Sequence, residues 1–96
     1  MDEIIKKRNQ QKLLMNVNRS EEEHTCWQWN GQISHSGYGR IMLKEEHGNK
    51  MHSAHRASYE LFRGTIDKDG IIVQSCGNRL CVNPDHLKQI FQNKSA

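Results

Sequence analysis

The sequence predicts a small α+β domain with short antiparallel strands. Residues 26–29 alternate apolar and polar side chains, and residues 38–43 continue the β pattern. Residues 54–62, by contrast, space their apolar side chains as a helix does. With 96 residues, 34% of them hydrophobic, the chain is expected to form one domain with a limited core. Scaffolds of this size usually need a disulfide, a metal ion or a partner to stabilise them.

The N-terminal segment differs from the rest of the chain in composition. Apolar residues at 4–5 and 13–15 bracket a polar stretch that contains no glycine or proline. This pattern predicts one or two amphipathic helical turns that pack on the body of the protein. We therefore divide the chain into an N-terminal helical extension, residues 1–23, and a main domain, residues 24–96.

A strand and a helix are predicted in the middle of the main domain. Residues 46–48 indicate a turn that leads into a third strand near residues 50–54. The helix over residues 54–62 is expected to end at Gly64, since glycine is common just beyond the end of a helix.

The C-terminal third predicts one more strand and one more helix. Asp69 and Gly70 indicate a tight turn before the apolar residues 71–73, which we interpret as a buried strand. Pro84 is typical of the first turn of a helix, so a last helix is expected over residues 85–92.

The cysteines and one histidine form the most informative pattern in the chain. Four residues separate Cys76 from Cys81, and four separate Cys81 from His86, while Cys26 lies fifty residues before Cys76. Three cysteines cannot all pair in disulfides, whereas three sulfurs and one imidazole complete a closed tetrahedral zinc site of the structural kind. The alternative is a set of buried free thiols and a surface histidine.

Charge and hydropathy exclude some classes of protein and favour others only weakly. The formal net charge is +3 and the isoelectric point is near 8.9, a weak indication of nucleic-acid binding. The N-terminus lacks the apolar region of a signal peptide, and the longest apolar runs are three residues. We therefore expect a cytoplasmic protein without a membrane partner.

Four sequence motifs resemble those of one nuclease family. They are Cys26-Trp27-x-Trp29-x-Gly31, Gly37-Tyr38-Gly39-Arg40-Ile41, Ala54-His55-Arg56-x-Ser58-Tyr59-Glu60-Leu61 and Cys81-Val82-Asn83-Pro84-x-His86-Leu87. Across residues 24–92 the chain resembles the HNH endonucleases of the His-Cys box type, zinc-binding homing endonucleases that are common in phages and mobile introns. The resemblance implies a ββα-metal fold, made of a strand pair, a zinc-braced loop and a helix. It also implies double-stranded DNA as partner and one structural zinc on Cys26, Cys76, Cys81 and His86.

The resemblance also shows where the catalytic residues would stand. The family has a general-base histidine two residues before the first loop cysteine, and this position holds Gln74. A carboxamide can orient a water but cannot take its proton. The family asparagine that holds magnesium would fall at Ser95, and Asn93 is a weak alternative ligand. Hydrolysis is therefore expected to be impaired, and Mg²⁺ is expected only if the protein is active.

Two further residues are candidates for the chemistry. The resemblance directs Arg40 toward the scissile phosphate, and the alternative is an ordinary exposed arginine on a strand. His55 is a possible substitute for the missing base, and the alternative is a structural role near the zinc loop.

Three functions follow from these observations. The first is a small metal-dependent DNA endonuclease or nickase of the HNH homing-endonuclease family, and Gln74 and Ser95 favour a form of it that binds DNA but is catalytically impaired. The second is a non-catalytic protein derived from that scaffold that acts on a protein partner, for example an inhibitor of a host or defence nuclease. The third is a zinc-stabilised accessory domain without affinity for DNA.

Overall fold

Three antiparallel strand pairs and two helices make up the part of the chain that the computed structural model describes, residues 3–20, 22 and 25–91. In chain order the elements are α1 (Glu3–Leu14), β1 (Val17–Asn18), β2 (Gln28–Trp29), β3 (Arg40–Glu45), β4 (Gly48–Ser53), α2 (Ala54–Phe62), β5 (Gly70–Gln74), a 3₁₀ turn (Pro84–His86) and β6 (Leu87–Phe91). The pairs are β1–β2, β3–β4 and β5–β6. The predicted α+β class is confirmed. No helix in these described ranges has the length and apolar character needed to cross a membrane.

Helix α2 forms where the apolar spacing predicted it and supplies one side of the core. Ala54, Ala57 and Leu61 lie on its buried face. They share a core cluster with side chains from α1, β2, β3 and the segment after Cys81, namely Leu13, Trp29, Ile41, Leu43 and Val82. The core therefore joins the N-terminal segment to the main domain.

Helix α1 is longer than the one or two turns expected from the sequence. Its Leu13 is fully buried, and its polar side chains reach the open edge of β3. Asn9 Nδ2 donates to Lys44 O and Asn9 Oδ1 accepts from Lys44 N, each at 3.1 Å. Lys12 Nζ donates to Met42 O. The helix thus covers a strand edge whose backbone groups would otherwise be open to another chain.

Trp29 belongs to the core, and Trp27 packs against it. Trp29 is buried, and its Nε1 donates to Gln32 O at 2.8 Å. A Cβ atom at Gly31 or Gly39 would lie 2.5 or 2.4 Å from the indole ring, so both positions need a residue without a side chain. Trp27 is half-buried and meets Phe62 edge to face.

The predicted C-terminal helix over residues 85–92 is wrong. Pro84–His86 form a single 3₁₀ turn, and Leu87–Phe91 form strand β6, antiparallel to β5 from Gln74↔Leu87 to Gly70↔Phe91. The apolar residues of this segment fit a helical face as well as a strand, and pairing with the apolar strand β5 decides the outcome.

Candidate metal centre and adjoining groove

Four predicted metal ligands come together from three separate segments. Cys26 precedes β2, Cys76 follows β5, and Cys81 lies before the 3₁₀ turn that ends at His86. Cys26 Sγ lies 3.5 Å from Cys76 Sγ and 3.6 Å from His86 Nδ1. Cys81 Sγ lies 3.4 Å from His86 Nδ1, and all four ligand atoms lie within 4.8 Å of one another.

These separations fit a single tetrahedral ion. Zn–S bonds of about 2.3 Å and Zn–N bonds of about 2.0–2.1 Å place two sulfurs about 3.8 Å apart and a sulfur about 3.6 Å from a nitrogen. The three cysteines are free thiols. The four residues can therefore hold one metal ion, and their donor set is compatible with a structural zinc.

Local backbone geometry brings the ligands to this point. Gly77 N donates to Gln74 O in the turn after β5, with Gly77 at a φ of +78°, which a residue with a side chain rarely adopts. Asn83 Nδ2 donates to Thr25 O at 2.7 Å and ties the segment of Cys26 to the loop. Ser75 N donates to His86 O at 2.8 Å, so the strand pair holds both ends of the loop.

The two loop thiols lie in different electrostatic environments. Burial raises the pKa of Cys81 to about 12, so a metal ion must displace its proton to bind the thiolate. Burial also acts to raise the pKa of Cys76, but hydrogen bonds from the backbone of Asn78 and from the thiols of Cys26 and Cys81 outweigh burial and lower it. Such N–H···S bonds stabilise the thiolate that a metal ion requires.

A groove of about 480 Å³ adjoins the β3–β4 hairpin and the start of α2. Its lining comes from residues 34–40, from residues 51–56 and from Ile71 on β5. The register Arg40↔Ser53 explains this arrangement, because it brings the first residue of β3 beside the junction of β4 and α2. Arg40, His52, His55 and Arg56 line the groove together.

Two nitrogen atoms in this groove lack hydrogen-bond partners. Within the described ranges, Arg40 Nε and His55 Nδ1 are the buried side-chain polar atoms without a partner. His55 is 9% exposed, and burial lowers its pKa, helped by the charge of Arg56 and opposed by a hydrogen bond to the backbone of Ile72. A buried polar atom without a partner is costly to the folded state, so these two nitrogens mark the groove as an energetically unfavourable part of the fold.

The structure brings some predicted site residues together and separates others. Arg40 and His55 share the groove, whereas Gln74 does not line it. Gln74 ends β5, three residues after Ile71 and thus on the opposite face of the strand, and its Nε2 donates to Arg79 O at 3.1 Å. Asn93 and Ser95, the positions considered for magnesium, lie outside the described residues.

Sequence reasoning missed two other groove residues as site candidates. Tyr38 contacts the ring of His55 at a centroid distance of 5.1 Å, and His52 Nε2 lies 2.9 Å from Glu45 Oε1. The strand pattern carried a usable signal for this region, because the β3–β4 pairing sets Arg40 beside Ser53, and Tyr38 lies two residues before Arg40.

Comparisons with known proteins give a limited relationship. No protein-family model and no solved structure matches the chain. It is 32% identical over 62 residues to Protein 2.8 of Escherichia phage T7, covering 65% of this chain and 40% of that protein. It is 31% identical over 62 residues to Protein 7.7 of the same phage, covering 65% of this chain and 45% of that protein. The chain thus spans less than half the length of these curated relatives.

Proposed function

We propose that this chain is a zinc-braced DNA-binding protein of the HNH type, impaired in phosphodiester hydrolysis. The proposal draws first on the strand pair β5–β6, whose connecting loop carries Cys76, Cys81 and His86. A strand pair and a metal loop are two of the three parts of a ββα-metal unit. The helix that would complete the unit would have to follow Phe91, beyond the described residues.

Zinc is the ion we assign to the Cys/His cluster. Three thiolates and one imidazole suit zinc and leave no position open for water, which is the arrangement of a structural site. The same residues tie together the segment before β2, the end of β5 and the 3₁₀ turn. The ion would therefore act on the fold and not directly on a substrate.

The proposal of DNA binding is based on the groove. Arg40 and Arg56 line it, and the unpartnered Arg40 Nε is the single observation on which the assignment depends. A guanidinium group matches a phosphate in charge and in hydrogen-bond geometry. We infer that a backbone phosphate of double-stranded DNA contacts the guanidinium group of Arg40 where this residue lines the groove.

The basic surface in this proposal is smaller than the number of basic residues suggests. Lys44 and Lys50 lie on opposite faces of the β3–β4 hairpin, since Lys50 pairs with Leu43. Arg63 lies at the C-terminal end of α2, far along the helix from the end that lines the groove, and its Nη1 is 3.7 Å from Asp85 Oδ1. The phosphate contacts that we propose therefore centre on Arg40 and Arg56.

Impaired hydrolysis follows from the chemistry of Gln74. Its carboxamide cannot accept a proton, and its Nε2 is already bonded to Arg79 O. His55 is a histidine in the groove that can accept one, because burial lowers its pKa and so favours the neutral imidazole. Mg²⁺ belongs to the proposal only for a form of the protein that cuts DNA.

A nicking assay on supercoiled plasmid with magnesium or manganese tests the catalytic half of the proposal. We expect little or no nicking by the chain as it stands and a faster rate for Gln74→His. Gln74→Asn is the matched control, since it keeps a carboxamide and should remain inactive. Nicking by the unchanged chain that is lost in His55→Gln would assign the base to His55 instead.

A salt series of duplex DNA binding tests the other half. Each lost phosphate contact should reduce the slope of log K against log salt by about 0.9, so Arg40→Gln should weaken binding and flatten the slope. Lys50→Gln removes the same charge from the opposite face of the hairpin and should change the slope less. Absence of DNA binding by the unchanged chain would contradict the proposal and favour a scaffold that acts on a protein partner.

A further inference from the structure

The side chain of Arg79 connects the metal loop to the wall of the groove. Arg79 lies between Cys76 and Cys81, yet its Nη1 donates to Ser36 O at 2.9 Å. Its guanidinium carbon also lies 5.4 Å from the centroid of the Tyr38 ring. Ser36 and Tyr38 both line the groove.

Tyr38 also contacts the ring of His55, whose Nδ1 lacks a hydrogen-bond partner. The Tyr38 and His55 rings lie 5.1 Å apart with an angle of 34° between their planes. The Tyr38 ring therefore touches Arg79 from the metal loop and His55 from α2. Gly37, between Ser36 and Tyr38, lies against the same guanidinium, where an added Cβ would be 3.6 Å from Arg79 Nη1.

The backbone of Arg79 is held as well as its side chain. Gln74 Nε2 donates to Arg79 O, and Leu80 N donates to Asn78 Oδ1 at 3.0 Å. Cys81 N donates to Asn78 O at 3.1 Å. The backbone from which the Arg79 side chain extends is thus fixed by the same turn that places Cys81 at the metal centre.

We infer that Arg79 is a positioning residue through which the metal centre sets the shape of the groove. An ion on the four ligands fixes the loop, the loop fixes Arg79, and Arg79 holds Ser36 and Tyr38 against His55. This inference rests on the proposed function of the groove as a DNA phosphate site. It gives Gln74 a part as well, since its carboxamide supports the backbone of Arg79.

A positioning role for Arg79 can be distinguished from a direct contact between Arg79 and a DNA phosphate. The guanidinium already has a carbonyl and an aromatic ring as partners. Its removal should therefore disturb His55, which it does not touch, even when no DNA is present. A residue that only contacts DNA would leave His55 unchanged in the free protein.

The first test is NMR of the histidine rings in the zinc-loaded protein without DNA. Arg79→Gln should shift the His55 ring signals while the zinc content stays at that of the unchanged chain. Arg79→Lys keeps the charge but loses the planar group, and should shift the same signals. Arg63→Gln, which removes an arginine elsewhere on the surface, should leave them in place. Unchanged His55 signals in Arg79→Gln, or wild-type signals in Arg79→Lys, would overturn the inference.

The second test is a double-mutant cycle in duplex DNA binding with Arg79→Gln and Tyr38→Leu. Each single change should weaken binding about fivefold, the scale of one cation–π contact, and the pair should weaken it by little more than either alone. Fully additive losses would overturn the relay through Tyr38. If the unchanged chain binds no DNA, the proposed function fails, while the His55 signals still decide whether Arg79 shapes the groove.

Discussion

The metal centre and the groove differ in whether their polar groups have partners available. At the metal centre, four ligand atoms from three segments face one another within 4.8 Å and can be satisfied by a single ion. In the groove, Arg40 Nε and His55 Nδ1 are buried without partners. The two regions therefore differ in what could satisfy them, since one ion can satisfy the four clustered groups, whereas the two groove atoms are left without a hydrogen-bond partner.

The two regions are nevertheless close neighbours in the fold. Ser58 Oγ on α2 donates to Val82 O at 2.5 Å, next to Cys81, and the bond is fully buried. His55 lies one turn earlier on the same helix and lines the groove. Substitutions in the metal centre and in the groove can therefore show whether the first region mainly affects stability and the second mainly affects ligand binding.

The largest effect is expected at the metal centre. Cys81→Ala removes a buried ligand, and the binding free energy of a structural zinc, about 10–16 kcal/mol in zinc-finger peptides, is also folding free energy. A small domain is stable by only about 5–15 kcal/mol, so this variant should lose its cooperative thermal transition. Circular dichroism melts together with zinc analysis measure the outcome.

Two controls accompany the Cys81→Ala variant. Lys88→Ala changes an exposed residue on β6 near His86 and should move the free energy of unfolding by less than about 0.5 kcal/mol. Removal of the metal from the unchanged chain by a strong chelator should reproduce the loss of the transition. A cooperative melt that the chelator leaves unchanged would contradict the assignment of a structural ion.

Sequence reasoning succeeded where a short-range pattern determines the structure. The spacing of apolar residues placed α2 correctly at Ala54–Phe62, and the alternation near Arg40 located the hairpin. The four ligands could be named because only one set of cysteines and histidine has a spacing suited to a single ion. The helix, the hairpin and the spacing of Cys76, Cys81 and His86 depend on nearby residues, whereas Cys26 joins the cluster from fifty residues away and was assigned because it is the third cysteine of the chain.

Sequence reasoning failed where distant pairing decides. Residues 87–91 fit a helix by their apolar spacing, and only the neighbouring strand β5 makes them a strand. The groove could not be predicted, since it exists only after residues 34–40 and 51–56 have come together beside Ile71. The bond from Gln74 to Arg79 joins residues only five positions apart, but it depends on the conformation of the intervening loop, which no short-range pattern specifies.

A smaller effect is expected at Gly39, which lines the groove above Trp29. Gly39→Ala would place a Cβ atom 2.4 Å from Trp29 Cδ1, so the indole or the backbone of β3 must shift. Overpacking of this kind costs about 1–3 kcal/mol. Urea unfolding should show this loss, whereas His35→Ala, an exposed change in the preceding loop, should be close to neutral. Equal stability of Gly39→Ala and the unchanged chain would mean that Trp29 does not pack on this glycine.

The smallest effect is expected at His55 and depends on pH. Its pKa in the folded protein lies below 6.5, the value in an unfolded chain, first because of burial and second because of Arg56. Between those two pKa values the unfolded state binds more protons. The stability that neutral His55 contributes is therefore complete above pH 6.5 and is lost as the pH falls toward the folded pKa. His55→Gln should remove this dependence.

Urea unfolding of zinc-loaded protein at pH 7.5 and pH 6.0 checks this expectation. Protonation of the metal ligands also lowers stability at the lower pH, but it affects both proteins and cancels when their losses are compared. The loss should be smaller for His55→Gln than for the unchanged chain, and His47→Gln, an exposed change in the hairpin turn, should behave like the unchanged chain. Equal losses for all three would mean that the groove accommodates a charged imidazole at no cost. In that case the unpartnered nitrogen of His55 would no longer distinguish the groove from the satisfied metal centre.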